Sequence, residues 1–584
     1  MPMQSPKKNL NPPKIRRSHS GCRPCRRRGK RCDETKPSCR ACARLSLECS
    51  YGVNFSFHNF SVQVLQHAAS QSAPSTDRLC ISNSFGNISN VAISAALSSG
   101  DNLEFSYLNH FREHVRHLLP AVSPQVTDGF LQSPCLRSAV LCISASNLSM
   151  LNARVQSRTL VGNSRRSVFS PLVNMLHHNY AQKYHNLALG YLRNANPEAK
   201  DQAPALLAAH VLLAYYHHAS TDHLSFRLAV EDSVRFVLQN RASITDSPDG
   251  AASLQMWYRL CTSHRPAKPP ALLLEGVGAS TIGPNPLPDV SEHLYLRCIL
   301  GMNGDDLIYD ILIKVLEIRT KLVVFRCVAG SCQISELSSE IGSLAYEIMN
   351  KMLGRQCVSD DYAEAREGCV RGSHLLGLLE VQKERLKVWR SILDKDQLSI
   401  NPSSLCRRFP THRDAMNALY YMLCEITFEE ANICSASDRV PGHEYSATIG
   451  NMAHTICHIA SQLSFNMSNT SDVYTLSLAE VLLQLVFASP SDQLFHYILD
   501  VLWPQLEMNG KGYEHSHYPT HLVKRIIAQT AAYWEEGRAV TFALPAVAEN
   551  ISKQKLLDID HPVDLVVCGY NNDGQYFIEK ALLP

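Results

Sequence analysis

The chain has no apolar run of the eighteen or so uncharged residues that a membrane-spanning helix needs. Its best candidate, Ala203 to Tyr216, is shorter and contains His210, so the chain is expected to be soluble. The first thirty residues hold Lys7, Lys8, Lys14, Arg16 and Arg17 among prolines and polar residues, with no apolar stretch of a secretory signal. A disulfide framework therefore lacks its oxidising route. Also missing are G-x-S-x-G, G-x-x-x-x-G-K-S/T and H-E-x-x-H, and Gly276 to Gly278 does not open a G-x-G-x-x-G, so no signature argues for an enzyme. His177, His178 and His185, and again His217, His218 and His223, lie close together in sequence. Without cysteine or carboxylate partners nearby they read as core or surface residues rather than as a metal site.

What the chain does have is a cysteine array. Cys22, Cys25 and Cys32, then Cys39, Cys42 and Cys49, form two successive copies of C-x2-C-x6-C. Zn2+ takes four soft ligands in a tetrahedron, and C-x2-C lets one turn of chain supply two. Six sulfurs cannot fill two separate four-ligand sites, so two zincs reach four-coordination only if two thiolates bridge both metals. The duplicated spacing is what a pseudo-twofold binuclear cluster requires, with one short helix in each half. A RING-type site would use eight ligands, and no histidine falls inside the array. The other 14 of the 20 cysteines are scattered singly from Cys80 to Cys568 and read as small buried hydrophobes.

Charge is concentrated in the same segment. Residues 1–49 carry 14 Lys and Arg against 3 Asp and Glu, a formal +11, whereas the whole chain is +3. The remaining residues therefore hold 42 basic and 50 acidic groups, a net −8. Six thiolates and two Zn2+ leave the module strongly positive, which is the electrostatic footprint of a phosphate-binding surface. Arg26, Arg27, Arg28, Lys30 and Arg31 crowd between the second and third cysteines.

Residues 18–52, SHSGCRPCRRRGKRCDETKPSCRACARLSLECSYG, resemble the fungal binuclear zinc-cluster DNA-binding domain in all six cysteines, the basic stretch, Asp33 and Pro37. The resemblance implies two Zn2+, with Cys22 and Cys39 as the bridging ligands and the other four cysteines terminal. It also implies that the carboxyl end of the first helix enters the major groove of double-stranded DNA over a CGG-like, GC-rich triplet. Family members often place a lysine four residues after the second cysteine, where this chain has Gly29; Arg28 or Lys30 can donate to guanine instead. Arg16, Arg17, Arg23, Arg40 and Arg44 are better placed for phosphates, which position without specifying. The leading basic residues also suit a nuclear localisation signal.

The organisation expected is a basic arm (1–17), the zinc cluster (18–52), a linker (53–100), an all-helical body (101–540) and a tail (541–584). The linker is rich in Ser, Asn, Ala and Gln and almost uncharged, and it shows no a/d heptad run, so a homodimer would have to form without a coiled coil there. The body is helical by its stripes: Leu108, Phe111, Val115 and Leu118; Leu307, Ile311, Val315, Ile318 and Leu322; Leu375, Leu379, Leu386, Trp389 and Leu393. Further helical segments fall near 168–196, 204–218, 223–240, 336–354, 411–434, 444–465, 473–503 and 517–536. EFSYLNHFREHVRHLLPAV and ALLAAHVLLAYYHHAS are similar to pieces of the all-helical fungal-specific regulatory domain. In the tail, Val563 to Tyr570 and Gln575 to Ile578 flank Asn571-Asn572-Asp573-Gly574, the pattern of a short β-hairpin. The fold class is thus mainly α. The reading is a nuclear, sequence-specific transcription regulator of the RNA polymerase II type, not an enzyme, with transcription co-regulators as partners and no membrane. A co-regulator whose zinc module does not read DNA specifically is the alternative, and it rests on Gly29.

Overall fold

The computed structural model describes residues 24–25, 32–33, 35, 38–45, 47, 49, 100–120, 133–150, 174–195, 202–219, 223–247, 249–263, 302–336, 338, 340–353, 372–393, 409–436, 447–508, 519–546 and 562–583. The chain divides into two compact units, Met1–Ile88 and Ser89–Pro584. In the first, α1 (Arg40–Arg44) is the described helix. The expected linker, up to residue 99, and the basic arm lie outside the described residues.

The second unit is built on two hydrophobic cores. The first core is enclosed by α2 (Gly100–His110, continuing through a π-helical turn, Phe111–Val115, to Arg116–Leu118), α3 (Pro134–Met150), α4 (Met175–Asn194), α5 (Ala203–Ala219), α6 (His223–Gln239), α7 (Arg241–Thr245) and α8 (Gly250–Ser263). Phe111, Val115 and Leu118 point into it as their spacing predicts. Helix α5 is apolar on all sides because it is buried on nearly all sides, which explains the long run from Ala203. The serines of α3 are buried at little cost, since Ser138 and Ser144 donate back to the carbonyls of Pro134 and Val140 at 2.8 Å. Trp257 Nε1 donates to Ser233 Oγ at 3.1 Å.

The second core forms around α9 (Gly304–Cys332), roughly 44 Å long at 1.5 Å per residue. Asn303 caps its start, accepting from Asp306 N at 2.8 Å, and Gln333 ends it in the left-handed region at φ 54°. Packed on this helix or its neighbours are α10 (Ile341–Leu353), α11 (Gly372–Ile392), α12 (His412–Ala436), α13 (Ala447–Ala460), α14 (Phe465–Ser471) and α15 (Leu478–Ala488). They are followed by α16 (Asp492–His496), a π-helical turn (Tyr497–Leu502), α17 (Trp503–Glu507) and α18 (Thr520–Glu535). Leu375, Leu379, Leu386 and Trp389 are buried as one stripe of α11, and Ile311, Val315, Ile318 and Leu322 as one stripe of α9. The helical segment expected over 473–503 is broken into pieces. A capping box at Ser477 and Glu480 restarts the chain as α15, and Pro490 separates that helix from α16.

A three-stranded antiparallel sheet of order β1-β2-β3 closes this core: β1 (Arg538–Pro545), β2 (Val563–Asn571) and β3 (Tyr576–Leu583). The hairpin expected at the Asp573-Gly574 turn is present, with Gly574 at φ 87° and Asn571 N donating to Gln575 O at 2.9 Å. Strand β1 was not expected. It follows α18 after Gly537, at φ 77°, where a Cβ would stand 2.4 Å from Asn572 Nδ2. A bulge between Val540 and Phe542 shifts its register against β2.

The loop between α14 and α15 crosses from one core to the other. Val473 and Tyr474 belong to the first core, where the Tyr474 ring lies 4.5 Å from that of Tyr215. Beside them Asp472 meets His412 Nε2 at 2.9 Å, and Arg259 of α8 pairs with Asp306 of α9. Seven body cysteines, Cys135, Cys142, Cys261, Cys327, Cys424, Cys457 and Cys568, are buried, while Cys332 is exposed. No described helix is long and apolar enough to cross a membrane.

Several histidines are held neutral by this packing. His110 is buried against Asn147 Oδ1 (2.9 Å), and burial pushes it down to about 4. Burial also lowers His114 and His177, the latter sharing a 2.9 Å hydrogen bond with Tyr107 Oη. The unfolded chain takes up these protons near pH 6.5 and the folded chain does not, so stability is full above that pH and is lost as pH falls toward 4. His110 alone accounts for about 3 kcal/mol by the linkage of 1.36 kcal/mol per unit. All four tryptophans lie in the body, so their emission follows it selectively. The urea midpoint read from that emission is expected to fall between pH 7.5 and 5, and less steeply in His110→Gln.

Candidate metal centre

The second half of the cysteine module is organised by Cys39. Its extended backbone (φ −69°, ψ 149°) makes it the N-cap of α1, and its own sulfur accepts from Cys42 N at 3.3 Å. A thiolate thus does the work that Ser or Asp usually does at a helix start. Cys39 N in turn donates to Cys49 Sγ at 3.3 Å. Both contacts place backbone N–H groups on sulfur, which favours its charged, metal-ligating form.

Asp33 holds the same helix from outside. Its carboxylate accepts from Arg40 N at 3.1 and 3.2 Å and from Thr35 Oγ1 at 2.9 Å, and Thr35 Oγ1 also reaches Ser38 O at 3.4 Å. Partial desolvation would raise this carboxyl, but the hydrogen bonds from Thr35 and Arg40 outweigh it and hold Asp33 below the usual range. The sequence reading marked Asp33 only as part of a resemblance. Its role as a clamp on the first turn of α1 becomes visible only when the two halves fold together.

The sulfurs gather in two overlapping groups. Those of Cys25, Cys32 and Cys39 lie within 4.8 Å of one another, and so do those of Cys39, Cys42 and Cys49. Cys25 Sγ and Cys39 Sγ are 3.6 Å apart. Zn–S bonds of about 2.3 Å make the edge of a ZnS4 tetrahedron roughly 3.8 Å, so the spacing suits zinc. Cys39 is common to both groups, and each group is one sulfur short of four. Cys22 lies outside the described residues. Cys25, Cys32, Cys39 and Cys42 are buried and Cys49 partly so, and no histidine joins a cluster of ligating atoms among the described residues.

Residues 20–55 match the model of the fungal Zn(2)-Cys(6) binuclear cluster domain. The module is a Zn(2)-Cys(6) domain of this fungal type. It binds two zinc ions, and the metals supply the cross-links of a segment too small to fold on an apolar core. Such domains belong to a family of DNA-binding transcription regulators. A relative is the lysine biosynthesis regulatory protein LYS14 of Saccharomyces cerevisiae (strain ATCC 204508 / S288c), 49% identical over 47 residues. That match covers 8% of this chain and 6% of the relative, so the likeness is confined to a short segment of each. No solved structure matches the chain.

Of the basic residues singled out from the sequence, Arg40 is described. Its side chain is 90% exposed on the first turn of α1, 3.9 Å from Asp33, and is available to a phosphate. Arg44, on the last turn of α1, is exposed as well. Arg17, Arg23, Arg26, Arg27, Arg28, Lys30 and Arg31 lie outside the described residues.

Proposed function

We propose that the chain is a nuclear, sequence-specific regulator of RNA polymerase II transcription whose Zn(2)-Cys(6) domain reads a CGG-like triplet in the major groove. The observation that carries the reading is the sharing of Cys39 between two sulfur groups within the most basic segment of the chain. In this reading Cys22 completes both metal sites as the second bridging thiolate. The first half then presents its basic run to DNA, with Arg28 or Lys30 donating to guanine O6 and N7 in place of the lysine absent at Gly29. Arg26, Arg27 and Arg31 in the same run, with Arg17, Arg23 and Arg40, neutralise phosphates and set the register. The helical body, residues 101–540, acts as the regulatory part, receiving a signal and contacting co-regulators; no catalysis is assigned to it.

One observation favours a second reading. Gly29 removes the usual base-reading lysine, and a module without base contacts would serve a co-regulator as a structural or protein-binding knob. Binding measurements separate the two. The zinc-loaded full chain is expected to bind a CGG-containing duplex at least about tenfold more tightly than a scrambled one, with affinity falling steeply in salt. Arg28→Ala should relax preference at one position, whereas Arg17→Ala should weaken all sequences alike and lower the salt slope by about one. Equal affinity for the two duplexes would transfer support to the co-regulator.

A further inference from the structure

Two histidines that lie far apart in the sequence meet beside the first core. His185 of α4 and His217 of α5 approach Nε2 to Nε2 at 3.0 Å, one from each of the two histidine groups at 177–185 and 217–223. Their rings stand nearly perpendicular, 4.8 Å between centroids at 86°. The buried Tyr216 ring lies 5.1 Å from each and packs against both. Both histidines are half-buried, so the pair is reachable from solvent. His217 also sits in the last turn of the 17-residue α5, where the helix dipole favours a cation. His178, on the same helix as His185, differs: its Nε2 meets the Gln182 amide at 3.0 Å rather than a second imidazole.

We infer that His185 and His217 are the two protein ligands of an exchangeable site for a late first-row divalent cation, distinct from the zincs of the cysteine module. In the hydrogen-bonded pair one nitrogen donates its proton to the other. A metal takes the place of that proton once the donor ring carries it on Nδ1 instead, so that both Nε2 lone pairs become ligands. Metal–nitrogen bonds of about 2.05 Å set two nitrogens roughly 2.9 Å apart at a right angle and roughly 3.3 Å apart in a tetrahedron. The observed 3.0 Å lies nearer the right angle, which selects an octahedral or tetragonal ion such as Ni2+ or Cu2+ over tetrahedral Zn2+. Imidazole nitrogen also excludes Mg2+ and Ca2+, which take oxygen ligands. The pair has no third ligating group beside it among the described residues, so water fills the remaining coordination positions. With two protein ligands the site is weaker than the thiolate cluster, and it empties under mild chelation that leaves the module loaded. When filled it joins α4 to α5, and it stands whether or not the module reads DNA.

Calorimetric titration of the zinc-loaded full chain with Ni2+ near neutral pH tests this, with elemental analysis showing that both zincs stay bound. The expected result is a single tightest Ni2+ event per chain. His185→Gln and His217→Gln should each weaken it at least about tenfold, the loss of one arm of a chelate. Tryptophan emission should stay unchanged in both, because glutamine keeps a polar group at a half-buried position. His178→Gln should bind Ni2+ as the wild type does. Lowering the pH toward 5.5 should weaken binding, since protons compete for the two ring nitrogens. No Ni2+ bound, an affinity indifferent to His185→Gln or His217→Gln, or an equal loss in His178→Gln would each overturn the inference.

Discussion

Cys39→Ala is expected to take the chain from two bound zincs to none at neutral pH under mild chelation, whereas Cys49→Ala leaves one. The difference follows from membership. The Cys39 sulfur belongs to both ligand groups, so its loss leaves each metal a ligand short, while Cys49 belongs to one group alone. Cys39 is also the N-cap of α1, and its removal strips the acceptor from Cys42 N, which adds about 1 kcal/mol to the damage. Structural zinc contributes on the order of 10 kcal/mol to the fold of such modules, so loss of metal means loss of the module. Zinc counted by a colorimetric chelator gives the stoichiometry. Tryptophan emission should stay at its wild-type value, because no tryptophan lies in the module. Two zincs retained by Cys39→Ala would show that the sulfur is not shared.

Arg319→Leu is expected to produce the largest loss of stability in the body, about 3–5 kcal/mol. Arg319 is buried in the middle of α9 and makes four hydrogen bonds to three other elements. Its Nε and Nη2 grip the Glu430 carboxylate of α12 at 2.5 and 2.8 Å, Nη1 donates to Thr541 O of β1 at 2.9 Å, and Nη2 reaches Phe487 O of α15 at 2.8 Å. Leucine supplies apolar volume but strands a partly buried carboxylate and two carbonyls, and the unpaired charge dominates that balance. Arg319→Lys should recover only part of the loss, since an ammonium cannot reproduce the planar fork. Urea unfolding followed by tryptophan emission measures both variants. A change below about 1 kcal/mol for Arg319→Leu would mean that water satisfies Glu430 and the two carbonyls after all.

The parts legible in the sequence are those whose signal is local. Six cysteines at duplicated spacing specified the metal centre because ligand count and tetrahedral geometry leave little choice. The stripes of α2, α9 and α11 were readable because a buried helix face repeats every three or four residues. The hairpin was readable because Asp573-Gly574 sits between two runs of strand-forming residues. Strand β1 was not, because RAVTFALP follows directly on a helical stripe and pairs with a strand that begins 18 residues after it ends. Nor could spacing show that the body has two cores, since the contacts separating them join residues hundreds of positions apart. Asp33 was likewise visible as a residue but not as a clamp. Its partner Arg40 N is a backbone donor, which leaves no trace in composition.

The crossing of Tyr474 into the first core bears on the order in which the protein can be made. The helices that enclose that core are all synthesised by residue 263, yet a ring that fills it arrives more than two hundred residues later. During synthesis the amino-terminal lobe must wait with an open socket beside Tyr215 and His218 until the loop after α14 leaves the ribosome. Chains that stop short of that loop carry the gap permanently. Premature termination anywhere between residues 264 and 473 therefore yields a fragment with an exposed aromatic pocket, a substrate for chaperones and proteases rather than a free-standing regulatory lobe.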